Sequence, residues 1–191
     1  MPDYRRAHAP GGTFFFTVVT EGRVDIFGND RARSILHASI HECMKSRPFT
    51  LDAIVLLPDH LHSIWTLPPT DANFSTRWAF IKSNFTRRWL EVGGAEQPKT
   101  GSRLHNRRRG IWQRRFIEHT IVDERDFSQH LDYLHYNPVK HELASCPHEW
   151  PYSTFKKWVS RGVYEEDWAC CCQGRGVSAP CFESMPNLEI E

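Results

Sequence analysis

A chain of 191 residues with 40% hydrophobic and 25% charged side chains fits one soluble domain with modest additions. No apolar run approaches the roughly 20 residues needed to cross a bilayer, and no long apolar stretch follows the first residues, so neither a membrane partner nor a secretory signal is expected and the expected location is cytoplasmic. The net charge of +1 hides segregation: between Arg77 and Arg115 the cations include Lys82, Arg87, Arg88, Arg107, Arg108, Arg109 and Arg114, opposed only by Glu91 and Glu96, while the C-terminal end is acidic.

Tyr4-Arg5-Arg6 reads as a short basic arm. Thr13 to Thr20, rich in aromatic and β-branched residues after Gly11-Gly12, predicts a first strand. Asn29-Asp30 opens a helix to about Lys45, with Ile35, Leu36, Ile40 and Met44 at helical spacing, and Arg47-Pro48 ends it. Phe49 to Leu57 predicts a second strand. Pro58-Asp59 predicts a kink or turn, because proline interrupts a ladder. His60 to Thr66 is the third strand, stopped by Leu67-Pro68-Pro69.

A second helix starts after Asn73 or Ser75, with Phe74, Trp78, Ile81, Phe85 and Trp89 on its apolar face. Arg77, Lys82, Arg87 and Arg88 fall on its other sides. Residues 93–110 read as a mobile basic loop. Ile111 to Ile121 predicts a fourth, basic strand, and Asp123 to about Tyr136 a third helix that Asn137-Pro138 closes or bends. From about Val159 the periodicity weakens, so a domain of residues 1–158 and a partly docked or disordered tail of 159–191 are expected. The order β-α-β-β-α-β matches a ferredoxin-like split βαβ fold of α+β class: an antiparallel sheet with helices on one face. The six cysteines form no Cys-x-x-Cys, so neither a disulfide framework nor a sequence pattern for zinc is evident.

Two motifs carry chemistry. His60 and His62 flank Leu61 on one strand, so both imidazoles point to the same face and are placed to share one divalent metal. On the third helix Tyr133 and Asn137 are about one turn apart on one face. Asn137 offers a hard carbonyl oxygen suited to Mg²⁺ or Mn²⁺, and Tyr133 offers a phenol as nucleophile. Trp78, Phe80, Phe85, Trp89 and Trp112 interleave the basic stretch, a combination suited to phosphates and unpaired bases.

The segment Leu57-Pro58-Asp59-His60-Leu61-His62-Ser63-Ile64-Trp65 resembles the HUH motif of single-strand DNA endonucleases. Asp132-Tyr133-Leu134-His135-Tyr136-Asn137-Pro138-Val139-Lys140 resembles the tyrosine helix of single-tyrosine transposases. With Tyr4-Arg5-Arg6, Trp112-Gln113-Arg114-Arg115-Phe116-Ile117-Glu118-His119 and Trp150-Pro151-Tyr152-Ser153-Thr154-Phe155, the chain is most similar to the REP-associated tyrosine transposase branch, from about Tyr4 to Trp168. The resemblance implies an HUH nuclease domain with metal ligands His60, His62 and Asn137 and nucleophile Tyr133. It implies cleavage of single-stranded palindromic hairpins through a 5′-phosphotyrosine, rejoining without a nucleotide cofactor, and action as a monomer rather than a homodimer at the nucleoid. Expected DNA contacts are Tyr4, Arg5, Arg6, Arg77, Lys82, Arg87, Arg88, Arg114, Arg115 and His119. The alternative is a regulator that binds hairpin DNA or RNA without cutting it. The long loop from Gly93 to Arg109 and the tail around Cys170-Cys171-Cys172 have no counterpart in that resemblance.

Overall fold

The computed structural model describes residues 7–98, 101 and 109–171; Tyr4, Arg5, Arg6, most of the basic loop and the end of the tail lie outside them. A near-continuous apolar run, Phe14-Phe15-Phe16 with Val18-Val19, forms β1 (Thr13–Val19) and is buried on both faces. Asn29 caps α1 (Asp30–Ser46), its side chain accepting from the amides of Arg31 and Ala32. Strands β2 (Thr50–Leu56) and β3 (His60–Thr66) follow as a hairpin. Pro58-Asp59 makes the turn, and Leu57 N donates to His60 O at 2.8 Å. Asn73 caps α2 (Phe74–Glu91) through Thr76 N. Then come β4 (Ile117–Ile121), α3 (Glu124–Lys140) capped by Asp123, and a short α4 (Phe155–Val159).

The sheet order is β2-β3-β1-β4, with every pairing antiparallel, which is the expected α+β ferredoxin-like arrangement. Phe14, Phe16, Val18, Leu61 and Trp65 point to one face and pack against Leu36 and Ile40 of α1 and Trp78, Ile81 and Phe85 of α2. The opposite face is not open. Phe15, Val55 and Ile64 meet Leu131, Tyr133 and Leu134 of α3, with Phe155 and Tyr164 behind them. The sheet is therefore buried on both faces, and α3 lies directly over the side that carries His60 and His62.

Two elements differ from the sequence expectation. The fourth strand begins at Ile117 rather than Ile111. Trp112 and Phe116 both turn into the α1/α2 core, where Trp112 meets Phe27 and Phe85 and Phe116 meets Phe16. An isolated bridge between Trp112 and Thr20, made by Gln113 N to Val19 O (3.0 Å) and Glu21 N to Ile111 O (2.9 Å), ties this stretch to the end of β1. The third helix runs through Pro138 to Lys140. The described part of the tail, to Cys171, packs on the domain through Tyr164, Ala169 and Cys170. Among the described residues, no helix is long and apolar enough to cross a membrane.

Candidate active site

β3 is a central strand, and that placement orients both histidines. His62 lies opposite Thr17 of β1. Its Nδ1 is 2.8 Å from Thr17 Oγ1, and its ring lies 5.4 Å from that of Phe15. His60 sits one residue from the hairpin turn, so its Nδ1 reaches Asp59 Oδ1 at 2.5 Å. Arg23 holds the same carboxylate through Oδ2 at 3.1 Å. With both Nδ1 atoms engaged by oxygens, both Nε2 atoms are left as the outward ends of the rings. The two rings are 5.0 Å apart.

α3 closes the site. Tyr133 is buried, its ring 5.3 Å from that of His62 and 6.0 Å from that of Phe15. One turn on, Asn137 is fully buried, and its Nδ2 donates to Tyr133 O at 3.3 Å. That bond fixes which end of the amide is free, and the carbonyl oxygen faces the site. Two buried acceptor atoms here have no hydrogen-bond partner: His62 Nε2 and Asn137 Oδ1. Leaving such atoms unsatisfied is costly, and a cation bound between them would satisfy both. The donor set His60, His62 and Asn137 therefore fits a borderline-to-hard divalent ion of the Mg²⁺ or Mn²⁺ kind.

The electrostatics agree. Burial drives the His62 pKa well below its ordinary value, aided by the charges of His60 and His141. His62 is thus neutral, the form that ligates a metal. Burial alone would raise the Asp59 carboxyl, but the bond to His60 and the Arg23 guanidinium hold it below its usual range; a carboxylate behind a ligating histidine fixes ring orientation and raises basicity.

Two further residues belong to this site. His141, at the C-terminal cap of α3, brings its ring to 5.3 Å from that of His60. Lys140 Nζ lies 5.4 Å from the Tyr133 ring centroid. Their spacing of seven and eight residues from Tyr133 was the available signal, hidden by the expectation that the helix ends at Pro138. Beside the site, His119 Nε2 lies 2.8 Å from Asp126 Oδ2, and His130 Nδ1 lies 2.9 Å from Asp126 Oδ1. The rings of His119 and His130 stack at 4.3 Å. His119 thus ties β4 to α3.

The other residues singled out for DNA contact divide by environment. Arg77 lies in the interior. Its guanidinium donates to the carbonyls of Arg47, Pro48 and Asn73 and to Asp71 at 2.6–3.2 Å, so it braces the start of α2 and is not placed to meet a phosphate. Arg88 is engaged by Glu42, and Arg87 by Glu91 and Asn84. Lys82 donates to Gln113 O at 3.1 Å, within a cleft also lined by Arg87, Arg109 and Trp112. Arg114 and Arg115 are exposed on the segment leading to β4. His135, off the Tyr133 face, is wholly buried and meets Thr154 Oγ1 at 3.1 Å.

A split βαβ sheet with paired histidines on a central strand, faced by a helix that presents a tyrosine and an asparagine, defines a DNA-transposase type of domain, and comparison with known proteins narrows it. The chain is 41% identical over 169 residues to the REP-associated tyrosine transposase of Escherichia coli K12, covering 88% of this chain and 92% of that one. It is 40% identical over 168 residues to a Haemophilus influenzae protein assigned to the same group, covering 93% of it. A solved REP-associated tyrosine transposase bound to a REP hairpin superposes with a TM-score of 0.74 at 39% identity, over 88% of this chain and 92% of that one. No protein-family model matches the chain. The chain belongs to the REP-associated tyrosine transposase family.

Proposed function

We propose that the chain is a divalent-metal-dependent endonuclease and strand transferase for single-stranded DNA, acting on palindromic hairpins of the REP type. The observation that carries this reading is the convergence of Tyr133 with two partnerless buried acceptors, His62 Nε2 and Asn137 Oδ1. The hairpin is supported as partner by the solved relative that is bound to one. His60, His62 and Asn137 would hold the ion, which when bound supplies Lewis-acid polarisation of a phosphate oxygen.

The remaining steps fall to the chain's own residues. The Tyr133 phenol releases its proton to solvent and its oxygen attacks phosphorus. The bond from phosphorus to the 3′ oxygen breaks, and that oxygen takes up a proton to leave as a 3′-OH. The phosphate stays esterified to Tyr133 and to the 5′ side of the DNA. Attack by a 3′-OH on the same phosphorus restores the phenol and rejoins the ends, so no nucleotide cofactor is consumed. Lys140, close over the Tyr133 ring, is placed to stabilise the charge that develops on phosphorus. Because α3 folds over its own chain's histidines, one chain holds all four residues, which supports a monomer.

The test is covalent trapping. Labelled single-stranded hairpins from the host genome's repeats are incubated with protein and Mn²⁺, and a protein–DNA band resistant to denaturation is sought, with RNA hairpins as competitors. The band is expected with wild type and absent with Tyr133→Phe and His60→Ala. A band that survives Tyr133→Phe would move the nucleophile elsewhere. Tight binding without any band would favour a non-cleaving hairpin regulator, and preferential competition by RNA would change the substrate.

A further inference from the structure

On the far side of α3 the fold assembles a second group of metal-ligating side chains that sequence spacing does not reveal. Cys146, His148 and Cys170 bring two sulfurs and a ring nitrogen within 4.8 Å of one another. Cys146 caps the 3-10 turn Pro147–Glu149, His148 lies within it, and Cys170 arrives from the tail, 24 residues away from Cys146. Both cysteines are buried, and His148 is half-buried. The two sulfurs are joined as a disulfide, and His148 Nδ1 lies 3.7 Å from Cys170 Sγ and donates to Glu166 O at 3.0 Å, a bond that zinc ligation through Nδ1 would have to replace.

The backbone around the group is braced independently of that bond. Glu149 Oε2 accepts from Ser145 N (3.0 Å) and Cys146 N (3.2 Å). Cys171 N donates to Ser145 O at 2.9 Å, and Cys170 N to Asp167 O at 3.2 Å. The frame would thus keep the three donors together with the cysteines reduced. An enzyme of DNA works where glutathione and thioredoxin keep thiols reduced and structural disulfides are rare. Thiolate and imidazole are the donors that select zinc, whereas the nitrogen–oxygen set at His60, His62 and Asn137 suits Mg²⁺ or Mn²⁺.

We propose that, in the reduced protein, Cys146, His148 and Cys170 bind a structural Zn²⁺ ion that clamps the C-terminal segment behind the tyrosine helix. Binding releases the two thiol protons to solvent, with no change of oxidation state. The fourth position is taken by water or by Cys171, the next thiol along the chain and an exposed one. What the clamp secures is the packing over α3: Tyr164 donates to Asp132 Oδ1 at 2.7 Å, and its ring stacks between Phe155 (5.2 Å) and Trp168 (4.6 Å). Asp132 directly precedes the proposed nucleophile.

The reducing setting rests on the proposed DNA chemistry, but the metal itself is read without DNA. Full-length protein is purified under a phosphine reductant with no added metal and analysed by mass spectrometry for zinc and by thiol titration after chelation. One zinc per chain is expected, lost in Cys170→Ser, reduced in His148→Ala and retained in His60→Ala. Replacement by Co²⁺ should give the strong visible bands of a tetrahedral site and thiolate charge transfer near the ultraviolet. Wild-type protein with free thiols and no zinc would overturn the proposal. So would zinc that is lost in His60→Ala but kept in Cys170→Ser. An intact mass two hydrogens lower, persisting under the reductant with no zinc bound, would assign the pair as a plain disulfide staple. Failure of the covalent trap with zinc present would leave the clamp standing and remove only the nuclease reading.

Discussion

At the scale of single residues, Thr17 does for His62 what Asp59 does for His60. Each gives the Nδ1 side of the ring an oxygen partner; with Nδ1–H donating to that oxygen, the Nε2 lone pair is left for the site. Thr17→Val keeps the shape but removes the oxygen, freeing the ring to take the wrong tautomer. Loss of such an outer partner typically weakens metal binding by about 10–100-fold. Calorimetric titration with Mn²⁺ is expected to show that loss for Thr17→Val with folding retained; unchanged affinity would mean that packing against Phe15 suffices to orient the ring. His60, His62, Tyr133 and Asn137 were legible in the sequence because strand and helix periods place them without reference to the rest of the fold. Thr17 was not, since it meets His62 only through the register of β1 on β3. Arg77 shows the converse difficulty. Charge patterning puts it on a basic face, whereas its four acceptors come from chain turns that periodicity cannot see.

Among the elements, α3 shows where local rules yield to packing. A proline inside a helix removes one backbone bond and crowds the preceding turn, and the residue before it is biased away from helical angles. Yet α3 continues to Lys140, with His141 N donating to Asn137 O (3.0 Å) and Leu143 N to Pro138 O (2.9 Å). Pro138, Val139 and the apolar side chains before them are buried on this turn, and that burial, worth about 1.5–3 kcal/mol per large side chain, outweighs one lost bond. The extra turn is what brings Lys140 and His141 to the site. The back of α3 also carries a pH dependence. Burial lowers the His135 pKa to about 3, whereas the unfolded chain protonates near 6.5. Between those values the unfolded state holds the additional proton, so acid favours unfolding. Stability from this residue is complete above about pH 6.5 and falls by about 1.4 kcal/mol per pH unit toward pH 3. Urea unfolding of metal-free protein from pH 7 to 4 is expected to show a shallower loss for His135→Gln than for wild type. Parallel curves would mean that His135 titrates normally in the fold.

Across the whole molecule, the near-zero net charge conceals a division of labour. The sheet is buried on both faces, and the basic residues around it separate into braces and exposed side chains. Arg77 and Arg88 are committed to protein acceptors, whereas Arg114 and Arg115 sit exposed between the Trp112 cleft and β4, one strand from the proposed catalytic face. A hairpin with its foot at Tyr133 could pass its stem across this edge. Each phosphate neutralised by a cation contributes about −0.9 to the slope of log affinity against log salt for a duplex stem. Replacing both Arg114 and Arg115 by alanine is therefore expected to flatten that slope by about 1.8, with unchanged thermal stability because neither side chain is buried. Arg77→Ala should do the opposite, lowering the unfolding temperature while leaving the slope of the folded protein unaltered. Fluorescence anisotropy with a labelled hairpin between 50 and 300 mM salt, roughly the range over which such slopes resolve, separates the two. A double variant whose line runs parallel to wild type would place the stem on another face, for which the cleft lined by Lys82, Arg87 and Arg109 is one candidate.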